Sequence, residues 1–283
     1  MPESRKYLPT PSIPGINCAV RWALTVSFGC LVFALLATAT ALAGKKKMPA
    51  GPPPDLPGHI NFLAQKLYGL PLDEAQPITD EIQKLVLDHL QEWMADKAPS
   101  DVEVRRELEA TFSKLHYPLF GKPAVFDEPW KGGMVIGAGY TLGWSDYNRV
   151  NVLAVFESRE GKSRLAAMTH FVPRTDLHYE ILPTQDQDDL RFFVYGFRLG
   201  KSQLRLSIVY YAFDGKSLKP LWDLHDVYDG KMEVQGNKLV IRYLKEAEYV
   251  REVEHNRFPP RHEAVYLITP SGLQLQTERE IPF

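Results

Sequence analysis

Thiols are scarce in this chain and badly placed to shape a folded body. Its 283 residues include two cysteines, Cys18 and Cys30, and residues 44–283 have none. That stretch therefore has no disulfide, no cysteine nucleophile and no thiolate metal ligand. Neither cysteine helps the N-terminus either: Cys18 follows Gly15-Ile16-Asn17 and Cys30 follows Ser27-Phe28-Gly29, unlike the aliphatic-then-small setting of a lipid-attachment signal. A body without crosslinks is held by its core alone, and about 240 residues bury most of the surface that their unfolded chain exposes.

An excess of either charge is also missing. The formal net charge is -2 and the pI is near 6.5, whereas a nucleic-acid-binding domain is expected to lie above about 9. Nucleic acid is excluded as a partner. There is no Gly-x-Ser-x-Gly elbow and no dinucleotide fingerprint, so the commonest hydrolase and oxidoreductase signals are absent, and no cofactor is expected. Gly-Lys-Ser occurs twice, at Gly161-Lys162-Ser163 and Gly215-Lys216-Ser217. A phosphate loop needs a further glycine five positions earlier, where Phe156 and Tyr210 stand instead, and both tripeptides read as hairpin turns.

One segment lacks charge altogether. Residues 22–43 carry none, and at about 1.5 Å per residue they are long enough for a hydrocarbon core of roughly 30 Å. The strongly apolar part, residues 28–36, decays into Thr38-Ala39-Thr40-Ala41-Leu42-Ala43 before Gly44, as a secretory signal ends. Arg5, Lys6 and Arg21 precede it, while Lys45-Lys46-Lys47 resist translocation. Residues 1–43 are thus a cleaved signal or a retained membrane anchor, with cleavage favoured. Residues 44–58, rich in proline, read as a linker.

Beyond the linker the hydrophobic period is helical. Ile82, Leu85, Val86, Leu90, Trp93 and Met94 form one stripe, and Val104, Leu108, Phe112 and Leu115 a second, opened by the capping-box spacing Ser100-Asp-Val-Glu103. A shorter helix is expected around residues 60–68. From about residue 134 the period becomes two, with Val150, Val152, Ala154 and Phe156 alternating with Arg149 and Asn151, then Leu204, Leu206 and Ile208 with Arg205 and Ser207, then Leu273 and Leu275 with Gln274 and Gln276. Glu160-Gly161, Asp214-Gly215, Asp229-Gly230, Gly236-Asn237 and Ser271-Gly272 supply turn chemistry between strands. The expected fold is α+β, mainly β: an antiparallel meander with a helical hairpin packed on it. Residues 59–120 are helical and 121–283 form the β domain, 59–283 being one cooperative unit.

A faint repeat accompanies this pattern. Gly139-Tyr-Thr-Leu142-Gly143, a strand and Gly161-Lys162-Ser163 are echoed by Gly196-Phe-Arg-Leu199-Gly200, a strand and Gly215-Lys216-Ser217. The period resembles a propeller blade, but too few units are present to close a ring. An open or sandwich-like sheet is expected.

Candidate chemistry rests on histidine. Asp223 and His225 would share a strand face, with the carboxylate orienting the imidazole. Glu252, Glu254, His255, His262 and Glu263 flank Phe258-Pro259-Pro260, where a loop that brought His255 and His262 together could hold zinc. The solvated-loop reading is favoured for that cluster, as it is for the acidic turn Asp186-Gln-Asp-Asp189 against calcium. Tyr195, Phe197, Tyr210, Tyr211, Phe213, Trp222 and Tyr228 suggest a stacking face for sugar or peptide, although strand aromatics usually fill cores. The expected function is a non-catalytic module that binds a protein or glycan partner in the cell envelope, exported or anchored through residues 22–43. The alternative is a hydrolase or metal-dependent enzyme centred on Asp223 and His225, or on His255, His262 and Glu263.

Overall fold

The computed structural model describes residues 51–116, 122–143, 150–171, 175–183, 189–199 and 203–282. The apolar segment 22–43 and both cysteines lie outside them. Three helices come first: α1 (Leu56–Lys66), α2 (Leu72–Met94) and α3 (Asp101–Phe112). Asp55 caps α1, its carboxylate accepting from the Gly58 N–H at 2.8 Å, so the helix starts inside the stretch expected to be linker. α3 opens on the expected capping box: Ser100 accepts from Glu103 N–H, and the Glu103 carboxylate accepts from Ser100 N–H at 2.9 Å. α2 starts ten residues before the Ile82 of the sequence stripe. Pro77 hides that turn from the pattern, since proline normally breaks a helix interior. Here it falls in the second turn, and the Ala75 N–H to Pro71 carbonyl bond at 2.9 Å starts the ladder ahead of it.

Eleven antiparallel strands follow among the described residues. The first sheet runs β1 (Ala124–Trp130), β2 (Gly133–Leu142), β3 (Val150–Arg159) and β4 (Lys162–Phe171) in chain order. The second is a seven-stranded meander of β5 (Thr175–Ile181), β6 (Leu190–Leu199), β7 (Leu204–Phe213), β8 (Leu218–Gln235), β9 (Lys238–Leu244), β10 (Arg261–Thr269) and β11 (Gly272–Ile281). A short helix α4 (Glu246–Glu254) links β9 to β10. Neither sheet closes, so the fold is the expected α+β, mainly β type, with a sandwich of open sheets.

Alternate residues of β2 and β3 face opposite ways, and both ways are covered. Ile136, Ala138, Tyr140, Val152, Ala154 and Phe156 pack with Ile82, Leu90, Met94 and Leu108 of the helices. Val135, Leu153 and Val155 turn the other way, against Phe192, Val209, Tyr211 and Phe213 of the second sheet. β3 was expected to be half-buried. Instead Val152 through Phe156 are all buried, because a strand between two covering layers loses its polar face. Asn151, polar yet fully buried, accepts a hydrogen bond from the Thr141 hydroxyl through Oδ1, while its Nδ2 has no partner among the described residues.

The second sheet is rolled. Strands lie about 4.8 Å apart, so in a flat sheet β8 and β11 would be separated by roughly 14 Å. Yet a Cβ placed on Gly272 would come within 2.9 Å of the Leu221 carbonyl oxygen, and Trp222 of β8 meets Tyr266 of β10 with ring centroids 5.3 Å apart. The bend is made in β8. His225 and Asp226 together oppose Ser207, and Asp229 and Gly230 together oppose Tyr243. Asp226 and Asp229 both take left-handed backbone, with φ of 59° and 46°. Such bulges sharpen twist and turn a sheet on itself. Asp229-Gly230 is therefore no hairpin turn, and β8 runs through it; a bulge and a tight turn demand the same left-handed residue, so local chemistry does not separate them. The other four turns join strands where expected.

Rolling gives the sheet a concave side. Phe193, Leu206, Ile208, Tyr210, Leu239 and Ile241 are buried there with no covering layer from the helices or the first sheet.

Candidate functional site

At one end of that concave side lies a cavity of about 350 Å³. Its rim comes from three places along the chain. Leu182 and Pro183 follow β5, Gly236 and Asn237 form the β8–β9 turn, and Ile268, Thr269 and Pro270 lead into the β10–β11 turn. The floor is Arg191 of β6 and Tyr210 of β7. In a flat sheet β6 and β10 would stand roughly 19 Å apart; the roll brings them to one pocket.

Backbone bonds fix the rim. Leu182 N–H donates to the Arg191 carbonyl at 2.9 Å, and Ile268 N–H donates to the Asn237 carbonyl at 2.8 Å. The Thr269 hydroxyl donates to the Gly272 carbonyl at 2.8 Å and its oxygen lies 3.3 Å from the Ser271 hydroxyl. The Tyr210 ring stacks on Phe193 with centroids 4.8 Å apart, and burial pushes its phenol above the usual range while the Arg191 hydrogen bond and charge pull it back. Since a guanidinium only donates, the Tyr210 oxygen accepts from Arg191 and keeps its own proton to give. The Arg191 Nε is enclosed and has no hydrogen-bond partner among the described residues.

A second, more open cavity of about 370 Å³ lies where the hairpin turns carrying the two Gly-Lys-Ser tripeptides approach each other. Its charges are largely spent on themselves. Glu157, almost fully buried, takes Arg159 at 2.7 Å and also Arg164, and the Lys131 ammonium sits 4.4 Å from the Trp130 ring centroid. The tripeptides themselves are turns: Glu160 and Gly161 take φ of 51° and 76° before Lys162, and the Asp214 carboxylate accepts from the N–H groups of Lys216 and Ser217 at 2.8 Å.

The residues singled out in the sequence end in separate places. Asp223 and His225 are brought together, His225 Nε2 lying 2.8 Å from Asp223 Oδ2, on an exposed stretch of β8 that lines neither cavity. His255 ends α4, its Nδ1 2.7 Å from the Arg251 carbonyl oxygen. His262 is buried in β10 and meets Glu248 at 2.6 Å. Glu263, its neighbour in the strand, is clamped by Arg279 at 2.7 Å and Arg242 at 3.0 Å. His255, His262 and Glu263 thus each have partners of their own. Among the described residues no group of three or more His, Cys, Asp or Glu is placed to hold a metal ion. Asp186 and Asp188 of the acidic turn lie outside the described residues. Tyr210 and Tyr211 point to opposite faces as expected, and both are buried, one in each core.

The Glu263 clamp carries a testable pH dependence. Hydrogen bonds from Arg279 and then Arg242 hold its carboxyl below the usual range. A depressed carboxyl stabilises the fold above the unfolded value of about 4.3 and loses that contribution as pH falls through the folded value. Denaturant titrations across this acid range should show a smaller loss of stability in Glu263→Gln than in the unaltered chain; equal acid slopes would refute the clamp.

Arg191 escaped the sequence reading. Its signal is a charge on the same strand face as Phe193, Tyr195 and Phe197, where alternation calls for an apolar residue. Fold and site together define a three-layer protein, helices on one sheet and that sheet on a rolled second one, with a ligand-sized cavity at the mouth of the roll. No protein-family model, curated protein or solved structure matches this chain. Among the described residues no helix is long and apolar enough to cross a membrane.

Proposed function

We propose that this chain is a non-catalytic binding module of the cell envelope, exported or tethered through residues 22–43. In this reading it holds a small organic molecule, or a protruding group of a protein or glycan partner, in the cavity at the mouth of the rolled sheet. One observation carries the binding reading: the cavity is of ligand size, and among the described residues the side chains lining it include no carboxylate, imidazole, amine or thiol. General acid–base catalysis most often uses one of these groups, and nucleophilic catalysis needs a nucleophile activated by an adjacent base; apolar walls with a few fixed polar groups need only a ligand. The compartment rests on the uncharged segment and its small-residue end at residues 38–44.

The test is thermal melting of the full chain with a panel of small acids, amides and sugars, with each compound recovered and weighed by mass spectrometry. Panel members that raise the melting temperature should do so in the unaltered chain and not in Ile268→Trp, whose indole fills the cavity, and should be recovered unchanged. Conversion of a bound compound would sink the non-catalytic reading. Recovery of full-length chain from the soluble cytosol, beginning at Met1, would sink the envelope assignment.

A further inference from the structure

The geometry points to a carboxylate on an apolar body as the ligand of this cavity, an inference that rests on the binding reading above. Three observations lead to it.

The first is charge. Among the described residues Arg191 is the one cation on the lining, and no Asp or Glu lines the cavity to balance it. The Arg191 guanidinium is partly enclosed, which is costly for a charge unless it is paired. A monoanion in the cavity pairs it.

The second is the sense of the hydrogen bonds. Tyr210 lines the floor beside Arg191, and next to a group that only donates its phenol has an O–H to give into the same space. Asn237, on the facing turn, brings an amide with two N–H groups to the rim. These are donors around a cation, and a planar carboxylate matches the guanidinium fork better than a spherical anion does.

The third is the remainder of the wall. Leu182, Pro183, Ile268 and Pro270 give the ligand body apolar surface, which suits an alkyl or aryl group and leaves sugar hydroxyls without partners. The carboxylate end therefore sits on the β6–β7 floor and the apolar body against the rim.

Calorimetric titration of the full chain with hexanoate, hexanamide and glucuronate separates these elements. Hexanoate should bind at least about tenfold more tightly than its neutral isostere hexanamide, as charge-assisted bonds to one guanidinium imply. It should also outbind glucuronate, which carries the same charge on a polar body. Arg191→Gln should weaken hexanoate far more than hexanamide and so abolish the preference between them. Equal binding of hexanoate and hexanamide would overturn the carboxylate inference and leave the cavity as a neutral apolar site. Glucuronate binding tighter than hexanoate would overturn the apolar body. Binding of none of the three would overturn the inference and the binding reading beneath it. The comparisons among the probes use the unaltered chain, so they decide the matter even where Arg191→Gln folds poorly.

Discussion

Phe156→Ala is expected to lower stability by about 3–5 kcal/mol, and to bring the helices and the sandwich down in one transition. Phe156 is fully buried in β3, in the cluster that holds Leu90 and Met94 of α2 and Leu108 of α3. Removing its ring leaves a hole in the layer where helices and sheet share a core, and the surrounding strands and helices relax only partly around it. Because domains are stable by only about 5–15 kcal/mol, the loss is a large fraction of the whole. Melting followed by far-ultraviolet dichroism for helix and by near-ultraviolet signals for the packed aromatics should give one midpoint, shifted down for both. Separate midpoints, with the helices lost first and the β signal unmoved, would show that the helical segment is an appendage. Trp93, the aromatic that the sequence placed in this stripe, is a weaker probe: it is only half-buried, with Lys97 Nζ 3.8 Å from its ring centroid, and Met94 takes the core position.

The helices were legible because their signals are local. Ser100 and Glu103 cap each other across three residues, and Leu108 recurs four residues after Val104 on the buried face, so the chain itself contains the pattern. The sandwich of open sheets was legible for a related reason, as strand alternation and turn residues are both short-range. The faint repeat was also real as turn chemistry. Its two copies fall on β2–β3–β4 and β6–β7–β8, one in each sheet, so they pack across a shared core and make no blade.

What escaped was everything set by pairing over distance. The roll of the second sheet depends on two residues of β8 opposing one at Ser207, and again at Tyr243. Nothing in Asp226 or Asp229 taken alone distinguishes a bulge from a turn. The cavity depends on that roll, since Arg191 and Ile268 reach it from strands that a flat sheet would hold apart. Histidine drew attention as a residue type with chemistry, but His262 and His255 found their partners in Glu248 and in the Arg251 carbonyl group. Residue type says what a side chain can do; the fold decides whether its neighbours let it.

Gly137→Ala should be among the most damaging small substitutions in the protein, costing at least about 3 kcal/mol, at the upper end of overpacking. Gly137 in β2 pairs directly with Phe126 in β1, and the Phe126 ring lies over the bare glycine. A Cβ there would fall 2.0 Å from Cε1 and 2.4 Å from Cζ of that ring, far inside contact distance. The ring has nowhere to retreat, because Tyr179 meets its edge with centroids 4.8 Å apart and Phe192 packs against it at 5.2 Å. The backbone is not the obstacle, since Gly137 has no positive φ. In a Phe126→Ala background the clash is gone, and alanine at position 137 should then stabilise by roughly 0.5–1 kcal/mol, the usual advantage of alanine over glycine inside a strand. A double-mutant cycle measured by denaturant titration should accordingly show strong coupling between the two sites, with the second substitution changing sign between backgrounds. Additive effects would mean that the ring does not occupy the glycine's empty place, and that another contact accounts for the bare position.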